Sequence, residues 1–187
     1  MNFDDHILEV LWSEDQISRR VSDLGSQICA DFQSRNEVPV LVGVANGAFV
    51  FLADLVRKIR LPLTLDFVRV VSYGIGTVTS GIPKIIVDLK LNVLGRHVVL
   101  VEDIVDTGNT LSILIQYLKS KGASSISVCT LLDKPSRRRV HFEPEGEGKY
   151  YCGFECPDQF VVGYGLDYAE LYRNLPYIGV LKPEIYK

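Results

Sequence analysis

Residues 98 to 110 read Val-Val-Leu-Val-Glu-Asp-Ile-Val-Asp-Thr-Gly-Asn-Thr. A β-branched apolar run, Val98 to Val101, leads into Glu102, Asp103 and Asp106 and then into a Thr/Gly turn. Beyond the turn Leu111, Leu114, Ile115 and Leu118 recur at helical spacing. A strand that passes through a short turn into a helix is the unit of an α/β fold, and the polar stretch sits at the carboxyl end of the strand, where open α/β sheets bind ligands. The backbone N–H groups of Thr107, Gly108 and Asn109, with the hydroxyls of Thr107 and Thr110, would face a phosphate at the positive end of the helix dipole. Glycine at 108 lets the backbone approach closely.

Carboxylates repel phosphate oxygens, so the acids beside this cradle need other work. A ligand with phosphate at one end and hydroxyls at the other provides it: Glu102 and Asp103 accept from the hydroxyls, and Mg²⁺ offsets the negative charge. A ribose phosphate meets that description. The segment Val-Glu-Asp-Ile-Val-Asp-Thr-Gly-Asn-Thr resembles the phosphoribosyl-pyrophosphate signature of the type I phosphoribosyltransferases, in the form carried by the hypoxanthine-guanine phosphoribosyltransferases. Other blocks extend the resemblance in the same order. Val44-Ala45-Asn46-Gly47 is similar to the family's pyrophosphate-binding turn, Ser72-Tyr73 to the dipeptide of its mobile catalytic loop, and Leu131-Leu132-Asp133-Lys134 to the strand end bearing its purine-contacting lysine. The stretch Phe160 to Tyr168, with Glu170 and Arg173, is similar to the segment that covers the base.

The resemblance implies a type I phosphoribosyltransferase fold, a mostly parallel twisted sheet flanked by helices with a small hood and a mobile loop. It also implies a reaction: a 6-oxopurine, hypoxanthine or guanine, displaces pyrophosphate from phosphoribosyl pyrophosphate to give inosine monophosphate (IMP) or guanosine monophosphate (GMP), a step of purine salvage. In that frame Glu102 and Asp103 hold the ribose hydroxyls, while Thr107, Gly108, Asn109 and Thr110 bind the 5′-phosphate. Asp106 is the general base for the purine ring. Ala45, Asn46, Gly47 and Arg173 meet pyrophosphate. Lys134 donates to the 6-oxo group, Phe160 stacks on the base, and the backbone at Val161 and Asp167 accepts from the purine edge. Tyr73 closes over the site beside Ser72. Mg²⁺ is bound mainly through ligand oxygens and water, with Glu102, Asp103 and, behind one water, Asp167 as the protein's acids. Asn46 and Asn109 stand where many relatives carry lysine, so pyrophosphate affinity leans on Mg²⁺ and Arg173. The family often has a cis peptide in the first turn, here Ala45-Asn46. Taken alone, Lys134 and Arg173 also read as solvated charges and Phe160 as core.

With 187 residues, 47% hydrophobic and 23% charged, the chain has enough apolar material for one core and is not disordered. We expect a single domain over residues 1 to 187, with a core at about 36 to 165 and a hood from the terminal segments. A net charge of −3 disfavours a nucleic-acid surface, and the run Lys134-Pro135-Ser136-Arg137-Arg138-Arg139 reads as a solvated loop. No apolar stretch is long enough for a membrane span, and the acidic start Asn2-Phe3-Asp4-Asp5 is no secretory signal, so a cytoplasmic location is expected. Cys152 and Cys156 lack the second ligand pair of a zinc site. A homodimer or homotetramer is expected.

Ser13 and Gln16 form a capping-box pattern ahead of a helix at 14 to 34, with further helices at 48 to 59 and 109 to 121. Strands are expected at 38 to 44, 63 to 71, 84 to 89, 97 to 102, 125 to 132 and 160 to 164, and a strand-like hood piece near 175 to 183. Residues 72 to 81, rich in Gly, Thr and Ser, read as a mobile loop or a plain hairpin connection. Two rivals remain. A regulator on the same fold binds ligand without turnover. A receiver-type phosphoacceptor domain fits less well, because its acidic pair belongs to the first strand. A P-loop hydrolase is excluded by the absence of its motif.

Overall fold

The computed structural model describes residues 3–35, 37–71 and 83–187. The loop expected at 72 to 81, with Ser72 and Tyr73, lies outside the described residues. The chain runs β1 (Ile7–Trp12), α1 (Glu14–Gln33), β2 (Val40–Ala45), α2 (Phe49–Lys58), β3 (Thr64–Val71), β4 (Lys84–Val87), β5 (His97–Val105), α3 (Asn109–Ser120), β6 (Ser125–Asp133), β7 (Tyr150–Glu155), β8 (Val161–Val162), β9 (Ile178–Leu181) and α4 (Pro183–Tyr186).

Six strands form the main sheet in the order β4-β3-β2-β5-β6-β7. All neighbours pair parallel except β4, which is antiparallel to β3. Alternation along β5 divides the core. Val99 and Val101 face α1 and α2 in one apolar cluster, while Val98 and Leu100 face α3 in another. Both faces of β5 are therefore covered, which is why it reads as a continuous apolar run until Glu102. The Ser13 side chain and backbone exchange hydrogen bonds with Gln16, so the capping box starts α1 as expected. A second, antiparallel sheet of β1, β9 and β8 makes the hood.

The three long helices fall within a residue or two of their expected ends. The strand ends shift more unevenly. The strand expected at 84 to 89 stops at Val87, and that at 160 to 164 shrinks to Val161–Val162, because Gly163 and Gly165 take φ of 101° and 100° and turn the chain. β5 extends past residue 102 to Val105, so Glu102 and Asp103 belong to the strand itself. The sequence reading passed over β1, which lacks clean alternation, and β7, which has Cys152 and Gly153 at its centre. Among the described residues no helix is long and apolar enough to cross a membrane.

Candidate active site

The turn between β5 and α3 is built from local geometry. Gly108 caps α3 with φ of 88°, and a Cβ there would stand 2.3 Å from the Val140 carbonyl oxygen. No L side chain fits that conformation without strain. Thr107 O accepts from the backbone N–H groups of Arg139 and Val140, both at 3.0 Å, so the turn is sewn to the basic loop after β6. A cavity of about 80 Å³ opens here between Glu102, Asp106, Thr107, Gly108 and Thr110. That space is about two to three waters' worth, suited to one small anion.

Glu102 is 7% exposed, and its carboxylate accepts from Asp103 N at 3.3 Å, while Asp103 Oδ1 accepts from Ile104 N at 2.9 Å. Burial, then the adjacent Asp103 charge, holds the Glu102 carboxyl well above its usual range. Burial also raises Asp103, against opposition from hydrogen bonds and from Arg173. A buried and a half-buried carboxyl that resist ionisation together form a donor set suited to hydroxyls or a divalent cation. Among the described residues no group of three or more His, Cys, Asp or Glu side chains could hold a metal. The donor set therefore fits Mg²⁺ only as an ion shared with ligand oxygens and water.

The turn after β2 reaches the same acids. Its Ala45-Asn46 peptide is cis. A Cβ on Gly47 would lie 1.9 Å from Asp103 Oδ2, and one on Gly165 would lie 2.4 Å from Gly47 O. Glycine at 47 is thus what allows the acid and the turn to share one place. Arg173 ties the other side: Nη1 donates to Gly165 O at 2.7 Å, and Nη2 pairs with Asp167 at 3.0 Å and Glu170 at 3.2 Å.

Asp106, Lys134 and Phe160 line a larger pocket of about 740 Å³, with Arg137, Asp158 and Tyr186. Lys134 is only 9% exposed. Its Nζ donates to Gln159 O at 2.6 Å and its backbone N–H to Val105 O at 2.9 Å, which fixes it beside both Asp106 and Phe160. It is not a solvated charge. In the basic run after it Arg137 and Arg139 are exposed, as a solvated loop would have them, but Arg137 Nε also donates to Asp106 Oδ1 at 3.1 Å, and Arg138 pairs with the half-buried Asp133. Arg138 is held by the last residue of β6, whereas Arg137 reaches across to the turn that follows the neighbouring strand β5. A separate pocket of about 600 Å³ beside Arg173, near Asp54, Arg57 and Tyr164, contains none of the strand-end acids.

The fold thus brings together the residues of the β5 turn, Gly47 and Arg173 on one side and Lys134 and Phe160 on the other, while the Val161 side chain is buried in the core. Residues 13–169 match the phosphoribosyl transferase domain. The hypoxanthine-guanine phosphoribosyltransferase of Bacillus subtilis is 49% identical over 97% of each chain. The chain belongs to the hypoxanthine-guanine phosphoribosyltransferase family. A crystal structure of a hypoxanthine phosphoribosyltransferase from Staphylococcus aureus superposes with a TM-score of 0.90 at 43% identity, covering 99% of this chain and 97% of that one. The bifunctional protein TilS/HprT of Listeria innocua is 51% identical over 96% of this chain, which spans only 27% of that protein's length. Arg137, Asp158, Gln159 and Tyr186 are among the residues of the larger pocket that sequence reasoning missed. Arg137 had a signal in standing three residues after Lys134, whereas Tyr186 reaches the pocket only through hood pairing.

Proposed function

We propose that this chain transfers the 5-phosphoribosyl group of phosphoribosyl pyrophosphate to hypoxanthine or guanine, releasing pyrophosphate and giving IMP or GMP. One observation carries the reading. The strand end and turn from Glu102 to Thr110 present a phosphate-sized cavity on one side and, through Asp106, the pocket of Lys134 and Phe160 on the other.

A purine nitrogen forms a bond to the anomeric carbon as the bond from that carbon to pyrophosphate oxygen breaks. Thr107, Gly108, Asn109 and Thr110 hold the 5′-phosphate, and Glu102 and Asp103 accept from the ribose hydroxyls, placing negative charge near a ribose of oxocarbenium character. Asp106 accepts the proton that the purine ring gives up. Lys134, a donor with no acceptor, selects a 6-oxo group over an amine. Phe160 offers its ring to the base, and the backbone at Val161 and Asp167 accepts from the purine edge. Ala45, Asn46, Gly47 and Arg173 orient the pyrophosphate. Glu102, Asp103 and, through water, Asp167 would hold Mg²⁺ against ligand oxygens, and the ion would neutralise charge on the leaving group. Ser72 and Tyr73 are assigned to a cover that excludes water. The chain acts as a single domain with a hood, assembles as a homodimer or homotetramer, and needs neither nucleic acid nor membrane.

Purified protein incubated with phosphoribosyl pyrophosphate, hypoxanthine and Mg²⁺ should form IMP, and chelation should stop it. Binding of phosphoribosyl pyrophosphate without any product would place the chain with non-catalytic regulators instead.

A further inference from the structure

Phe160 has two ring faces, and the chain's own end covers one of them. Tyr186 stacks on it with centroids 4.7 Å apart and planes 22° apart, while Tyr168 meets the Phe160 ring edge-on at 5.7 Å. Both are attractive aromatic geometries. Tyr186 also lines the pocket that contains Asp106 and Lys134.

The route that brings Tyr186 there is short. Leu181 N donates to Phe160 O at 2.8 Å, which ties β9 to the backbone of Phe160, and α4 follows at once. Lys182 anchors the turn between them. Its N–H donates to His6 O at 3.0 Å and its Nζ to Asp5 O at 2.5 Å. Past Lys182 the backbone bonds are local, Ile185 N to Lys182 O and Lys187 N to Pro183 O. The Tyr186 ring is held instead by side-chain packing, against Phe160 and Tyr168 and against the hood cluster of Val162, Tyr172, Leu175 and Leu181.

We propose that Tyr186 is a positioning residue of the purine site, fixing the plane of Phe160 so that the base stacks on that ring's free face. The inference rests on the proposed role of Phe160. A phenyl ring at the wall of a wide pocket can rotate, and a stacked partner removes that freedom before the base arrives, which lowers the cost of binding. Orientation matters here because Lys134 is tethered to Gln159 O, the residue before Phe160. A tilt of the ring displaces the base from the ammonium and from Asp106 together. The stack uses the ring of Tyr186, not its hydroxyl.

Tyr186→Ala and Tyr186→Phe are compared with the wild type in steady-state kinetics for hypoxanthine and for phosphoribosyl pyrophosphate, and in calorimetric binding of GMP. Tyr186→Ala should raise KM for hypoxanthine and weaken GMP binding about three- to tenfold. Its kcat and its KM for phosphoribosyl pyrophosphate should stay near wild type, and Tyr186→Phe should restore all values. Unchanged purine KM and GMP affinity in Tyr186→Ala overturn the proposal. A fall in purine KM also overturns it, because Tyr186 would then occupy the base's own place. An equal rise in both KM values overturns it as a general loss of hood structure. A wild type without turnover defeats the function reading, and GMP calorimetry then decides this one: no weakening in Tyr186→Ala, or no binding at all, rejects it.

Discussion

The Nε of Arg137 lies 3.1 Å from Asp106 Oδ1 and 3.7 Å from Asp158 Oδ1, so one guanidinium is shared between two carboxylates of the pocket that Lys134 and Phe160 line. In the proposed reaction a purine N–H meets an Asp106 that already holds Arg137 on one oxygen, and Asp158 is the second partner of that guanidinium. Asp106→Asn keeps the shape of the side chain but removes its basicity. We expect kcat to fall about 100-fold or more, the lower range for general-base catalysis, with binding of phosphoribosyl pyrophosphate retained. Wild-type kcat across the pH range would show that Asp106 is not the base.

Gly47 and Asp103 occupy one space, with a built Cβ standing 1.9 Å from the carboxylate oxygen. Because Asp103 is bonded to Ile104 N, an alanine at 47 displaces an acid that is already fixed. Misplacement of an orienting group by about 1 Å costs on the order of 100-fold in rate, so Gly47→Ala should lose about that much kcat/KM for phosphoribosyl pyrophosphate. Steady-state kinetics at wild-type values would contradict the role assigned to this contact.

Burial and the charge of Asp103 hold the Glu102 carboxyl well above its usual range. A carboxyl whose pKa is higher folded than unfolded contributes stability below the unfolded pKa and loses it as pH rises through the folded one. Glu102→Gln removes that loss. Its thermal midpoint should exceed the wild type's at about pH 8, with the gap closing toward about pH 4, while turnover drops. A variant no more stable than wild type at the higher pH would contradict the cost assigned to the buried pair.

His97 sits at the opposite end of β5, with Nδ1 2.8 Å from Glu37 Oε2 and Nε2 2.7 Å from Arg35 Nη1. Arg35 can only donate, so Nε2 accepts and the ring is neutral, donating to Glu37. Burial above all pulls its pKa below the usual histidine value, against Glu37, with Arg35 adding to the fall and Glu147 opposing. A depressed folded pKa contributes stability above the unfolded value and loses it as pH falls toward the folded one. Urea unfolding at about pH 7.5 and about pH 5.5 should show a smaller acid loss in His97→Gln than in the wild type. Equal losses would remove His97 from the acid response.

Much of this was readable in the chain because its determinants are local. Strand, acids, turn and helix follow one another from Val98 to Leu118, so sequence order alone delivers Asp106, Gly108 and Thr110 to one strand end. The apolar spacing of Ile17, Val21, Leu24 and Ile28 likewise marks the buried face of α1. The partners of these groups were not readable. Arg137 looks solvated until β6 sets it beside Asp106, and Tyr186 has no periodicity that announces Phe160. The hood strand β1 hid for a related reason: all six of its residues are exposed or half-buried, and the sequence Ile-Leu-Glu-Val-Leu-Trp does not alternate apolar with polar, so no period-2 pattern marks it. Its pairing with β9 joins residues near opposite ends of the chain.

The central claim is transfer to a 6-oxopurine, and one competition assay addresses it. Hypoxanthine, guanine, xanthine and adenine are supplied together with phosphoribosyl pyrophosphate and Mg²⁺, and the nucleotide products are resolved by chromatography. IMP and GMP with no adenosine monophosphate is the predicted outcome. Adenosine monophosphate formed at a comparable rate, or no nucleotide from any base, would contradict it.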